Sequence, residues 1–88
     1  MAFQARNLSV LAYANSFTLW HYTTVDAPAT VDSAGYFDAA AEMLRVGDIV
    51  IANVDTDALP AAGLFLIRSN AAGTVDAADM TALAARGT

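Results

Sequence analysis

Strict alternation of apolar and polar side chains marks a strand with one wet face, and this chain offers little of it. In "MLRVGDIVIANV", Met43 to Val54, nearly every side chain after Gly47-Asp48 is apolar or small. In "FTLWHYTTV", residues 17–25, Phe17, Leu19, His21 and Thr23 point one way and Thr18, Trp20, Tyr22 and Thr24 the other. Both faces of that strand carry large side chains. "LFLIRSN", 64–70, is apolar until Arg68 and Ser69 mark its end. These three segments are β-branched, aromatic and aliphatic, the composition of strands. Each calls for cover on both sides, in a chain of 88 residues.

The remaining segments are less decided. Residues 1–6 have no pattern of their own and read as an N-terminal arm, ordered only if something ties it down. At 7–14, Leu8, Leu11 and Ala12 fit a helical stripe, while Leu8, Val10 and Ala12 fit a strand face; we take the strand, followed by a turn at Asn15-Ser16. Residues 26–37 form an irregular loop punctuated by Pro28 and Gly35, with a brief edge pairing at Thr30-Val31. Asp38 is placed to cap a short helix in "AAAEML", with Arg45 near its C-terminal end. Val46-Gly47-Asp48 turns the chain into a strand at 49–54. Residues 55–63 are a loop and "AAG" at 71–73 is a turn. The stretch 74–85 gives strands at Thr74-Val75 and around Met80–Leu83, the alternative being a short helix capped by Asp76. The sum is a mainly β fold: a small antiparallel β-barrel or sandwich with one short helix, with an arm at 1–6 and a single domain over 7–88.

Composition sharpens the question of cover. The apolar fraction is 57%, above the roughly 45–50% of a soluble domain, although much of the excess is alanine. A chain this short buries only about two-thirds of its unfolded surface. The surplus therefore meets copies of itself or forms a binding patch. The formal charge is −5, with four scattered arginines and no lysine. Such a surface suits neither a nucleic-acid backbone nor an anionic membrane. No apolar run approaches the ~20 residues of a membrane span. The N-terminal "LSVL" is shorter than the ~7–15 apolar residues of a secretory signal, so the segment reads as mature protein.

Candidate chemistry is sparse. There is no cysteine, which excludes disulfides and thiolate metal sites. Trp20-His21-Tyr22 could stack on a sugar or enter a partner, against the plainer reading that alternate residues face the core. His21 is the single histidine, and no serine near it has nucleophile-elbow context. Asp55-Thr56-Asp57 begins like a calcium loop, but Pro60 stands where an EF-hand needs glycine. Asp26, Asp32, Asp38 and Glu42 read as solvated turn and helix starts. No phosphate-cradling glycine run exists. We expect no enzyme, no cofactor and no metal.

Three stretches, "MAFQARNLSVLAYANSFTLWHY", "GYFDAAAEMLRVGDIVIANV" and "GLFLIRSNAAGTVDAADM", carry a resemblance over almost the whole chain. It resembles a family of small proteins encoded among the structural genes of alphaproteobacterial phages and gene transfer agents. The resemblance implies a component of a phage-like particle head: the base of a head spike, seated at capsid five-fold vertices and holding a fibre that touches host polysaccharide. The implied partners are the major capsid protein, the spike fibre protein and further copies of the chain, as a pentamer. The implied place is the particle head surface, after synthesis in the bacterial cytoplasm. No family catalytic residue carries over. By position, the expected partner contacts are Phe3 and Arg6 on the arm and Trp20 and Tyr22 on the 17–25 strand. Two alternatives stand beside this reading. One is a capsid decoration protein, a trimer at quasi-three-fold sites; the other is a carbohydrate-binding module using Trp20 and Tyr22.

Overall fold

The computed structural model describes residues 3–14 and 17–83. The expected turn at Asn15-Ser16, the first two residues of the arm, Arg86, Gly87 and the last residues of the closing stretch lie outside them. The chain is mainly β, with six strands in one sheet that does not close into a barrel and is sandwich-like. The strands are β1 (Leu8–Ala14), β2 (Phe17–Thr23), β3 (Ile49–Val54), β4 (Ala61–Ala71), β5 (Thr74–Ala77) and β6 (Thr81–Ala82). Their lateral order is β1-β2-β3-β4-β5, with β6 also on β4.

Five segments fall where the side-chain pattern puts them: 8–14, 17–23, 49–54, 74–77 and 81–82. β4 starts earlier than expected, at Ala61, because Ala61–Gly63 pair with Val54–Ala52. β5 and β6 act as one strand broken at 78–80. They run antiparallel along β4, opposite Ala71–Ile67 and then Leu64–Gly63. The β4–β5 hairpin turns at Ala72-Gly73, both at positive φ (54° and 83°), as a two-residue type I′ turn demands.

The sheet is antiparallel-dominated, as expected, and holds one parallel pair. β2 and β3 pair in parallel, Leu19 with Ile49 through Thr23 with Asn53. Parallel neighbours need a long crossover, since the chain must return to its starting end. Residues 24–48 make that return and lie across one face of the sheet. Their local structure also differs from expectation. The α-helix, α1, is Pro28–Val31, with proline at its first turn and Val31 buried. Proline's fixed φ suits that position, where its missing N–H has no intrahelical partner, so Thr30-Val31 makes no edge pairing. The "AAAEML" run holds a 3-10 turn at Asp38–Ala40, and Asp38 gives it no side-chain cap. Asp38 instead accepts a hydrogen bond from Val75 N at 2.8 Å.

The core lies between this crossover and the covered face. Trp20 and Tyr22 from β2, Val50, Ala52 and Val54 from β3, and Phe65 and Ile67 from β4 meet Val31, Phe37, Ala40 and Leu44 of the crossover, all buried. Burying each large side chain contributes roughly 1.5–3 kcal/mol. Asn70 on β4 ties the layers together, its Nδ2 donating to Ala41 O at 2.7 Å and Leu44 O at 2.6 Å.

Gly63 is buried where β4 sits between Ala52 and Ala82. A Cβ there would lie 2.7 Å from Thr81 O and 2.5 Å from Met80 Sδ. The side chain of Met80 could move, but the Thr81 carbonyl is ladder backbone. Gly63→Ala is expected to cost about 1–3 kcal/mol, read as a lower urea midpoint with unchanged slope.

Candidate functional site

The uncovered face of the sheet is built by alternation. Because the trans-strand partners share a face, the registers set Ala12, Leu19, Ile49 and Leu66 in one row across four strands. The next row is Ser9, His21, Ile51, Leu64 and Thr81. Phe17 extends the apolar area at one end, while Thr23, Asn53 and Ala62 close the other. Phe17, Leu19, Ile49, Ile51 and Leu64 are half-buried, and Leu66 is 46% exposed. None of these positions carries a charge, in a chain of nine acidic and four basic residues. The polar end is tied internally: His21 Nε2 donates to Asn53 Oδ1 at 2.8 Å. His21 is thus a structural residue of this face. Neighbouring strands stand about 4.8 Å apart and alternate residues about 6.7 Å, so the patch covers on the order of 400 Å² in projection.

The expected contact residues lie elsewhere. Trp20 is 7% exposed and Tyr22 fully buried, because even-numbered β2 side chains face the crossover. Neither ring offers a surface to a partner or a sugar, and the partner-contact expectation for both is corrected on that ground. Phe3 is half-buried, stacked on Tyr22 at 5.3 Å and edge-on to Phe37 at 5.5 Å. The described part of the arm is therefore docked on the body. Arg6 is exposed, in a 3-10 turn at Ala5–Asn7. Among the described residues no group of three or more His, Cys, Asp or Glu could hold a metal ion. Asp55 leaves β3 at φ 55° and its N–H donates to Asp26 O. No helix among the described residues is long and apolar enough to cross a membrane.

Two buried polar groups hold the sheet and its cover together, and nothing in the residue pattern singles them out. Asp48, 1% exposed, accepts from Thr18 N, Trp20 Nε1 and Arg45 N, each at 3.1 Å. It pins the end of the crossover to β2. Gly47, at φ 95°, makes the turn that aims it. The second group is a relay. Gln4 N donates to Tyr22 Oη at 3.1 Å, and the Tyr22 and Tyr36 hydroxyls lie 2.9 Å apart. Tyr36 donates to Asp26 Oδ2 at 2.6 Å. A phenol has one proton, so Tyr22 is the donor to Tyr36. Burial, then the bond to the Asp26 carboxylate, pushes the Tyr36 hydroxyl well above its ordinary pKa of 10.0.

The chain matches no family model, no curated protein and no solved structure. The open face is what the geometry offers as a functional surface, and its chemistry is contact: apolar, neutral and wide.

Asp48→Ala would strand two buried donors, Thr18 N and Trp20 Nε1, and the part-buried Arg45 N. A loss of about 2–4 kcal/mol is expected from the cost of unmet hydrogen bonds, with Trp20 fluorescence shifting as its indole N–H loses its acceptor. For Tyr36 the folded form holds its proton above the pH at which the unfolded form releases it. Stability is then intact below pH 10 and falls as pH rises beyond it. Tyr36→Phe should flatten that alkaline slope in denaturation curves taken between pH 9 and 11.

Proposed function

We propose that this protein is a structural component of a phage-like particle head, a homo-oligomeric adaptor linking capsid vertices to a host-binding fibre. One observation carries the reading: an apolar sheet face, its charge limited to Arg68 at the β4 margin and ion-paired with Asp76, that the described residues leave open. A monomeric protein seldom leaves such a patch without a partner. An acidic chain whose open face is neutral can meet copies of itself there without opposing carboxylates. The resemblance to head-spike base proteins supplies the setting, the five-fold vertex and the fibre.

The mechanism is geometric. Copies arranged in a ring use heterologous contacts, each offering two different patches. The open face is one of them. A ring then presents repeated, individually weak contacts to the capsid and to the fibre, and simultaneous engagement multiplies their affinity.

Cryo-electron microscopy of the intact particle tests this. Density for the chain is expected at the vertices, in tens of copies; hundreds of copies on the capsid faces would replace the adaptor with the decoration protein, and absence from the particle would sink both. Leu66→Asp places a charge at a half-exposed site. It is expected to abolish incorporation while moving folding stability by less than about 0.5 kcal/mol, as surface changes do.

A further inference from the structure

The two edges of the sheet are treated differently. At the far edge, β5 is sealed by the crossover: Val75 N donates to Asp38 Oδ1 at 2.8 Å and Val75 O accepts from Gly35 N at 3.2 Å. Asp76, ion-paired with Arg68 at 3.3 Å, adds charge there, and β6 beyond the break is two residues long. Short strands, charge and a covering loop are the usual protections of a sheet edge against another chain. β1 has none of them. It is seven residues long and holds no proline and no charged residue. Among the described residues it pairs with β2 alone. Among the described residues no strand takes up its outer row of N–H and C=O groups. The crossover stops short of it, leaving Val10 56%, Leu11 54% and Tyr13 63% exposed. A β-bulge between Val10 and Ala12 confines any added ladder to the short runs on either side.

We infer that β1 is a pairing edge for a second copy of this chain, joined antiparallel to its own counterpart about a two-fold axis normal to the sheet. Three features select that occupant. Self-pairing of β1 sets no charge against its like, although the chain carries −5 overall. The far edge is sealed along β5, so pairing head to tail, β1 on β5, has no acceptor row; β1 on β1, in short runs either side of the bulge, is the pairing the described edges leave open. Rotation about that axis also keeps both open faces on the same side. Two patches on the order of 400 Å² then become one platform near the roughly 800 Å² that each partner contributes to a stable interface. The pairing stands apart from the particle reading. Beside a five-fold ring it is a contact between rings, since a two-fold counts in pairs.

The absence of native cysteine allows a clean test. Single variants Val10→Cys, Leu11→Cys, Ala12→Cys and Tyr13→Cys in the full chain are oxidised at micromolar concentration. Native mass spectrometry runs in parallel on the parent and on the Val10→Lys/Tyr13→Lys double variant. The expected results are a dimer for the parent, a disulfide-linked dimer from at least one β1 position, and at least a tenfold weaker dimer for the lysine variant. Each cysteine variant changes one exposed side chain, so the inference stays testable should the lysine pair fail to fold. Leu66→Asp should leave the β1 disulfide intact even where particle incorporation is lost, which separates this contact from the open face. A parent that stays monomeric, odd-numbered assemblies without β1 cross-links, or cross-linking of β1 to a different particle protein in place of a second copy would each overturn it.

Discussion

A sheet with two apolar faces and a chain with one covering segment: that mismatch governs this molecule. β2 and β3 run in parallel, so the chain must cross over, and residues 24–48 do so across one face. Val31, Phe37, Ala40 and Leu44 of that segment complete the core. Beyond β3 the described chain goes into the sheet itself, as β4, β5 and β6. Nothing in the described chain is left to cover Leu19, Ile49, Ile51, Leu64 and Leu66. Among the described residues that side is left without dry contact.

The covered side is held by a few polar anchors as well as by packing. Asp48 fixes the end of the crossover to β2 through three donors. Asp26 and Tyr36 fix its start, and through Tyr22 they reach the arm at Gln4. Among the described residues every buried side-chain nitrogen and oxygen has a partner. A buried carboxylate of this kind is costly when unmet and specific when satisfied. These anchors explain how a thin layer, with four residues of α-helix and short 3-10 turns, holds one position over the sheet. They lie on the covered side and leave the open face undisturbed.

Much of the sheet was legible in the side-chain pattern. The runs 17–25, 49–54 and 64–70 were strands on composition alone, and the assignment of odd residues of β2 to one side and even residues to the other holds residue by residue. The want of cover on one face was legible too, from large side chains on both sides of the same strands. Trp20 and Tyr22 were not correctly placed as partner contacts. Alternation says that two faces exist but not which of them the chain will cover; the crossover took the even face, and so buried the more conspicuous residues. The short helix was misplaced for a related reason. "AAAEML" has the better helix formers, yet Asn70 and the core need its carbonyls and its Leu44 held in place, whereas Pro28 needs only a first turn.

The sequence by itself determined the strand segments, their two-sidedness, the acidic and lysine-free surface and the absence of thiol chemistry, because these depend on local side-chain identity and period. The tertiary structure alone decided the parallel pairing of β2 with β3, the choice of covered face, the roles of Asp48 and Asp38, and the contrast between a sealed edge at β5 and an open one at β1. Each of those rests on contacts between residues far apart in the chain, and periodicity carries no information about which distant segments will meet.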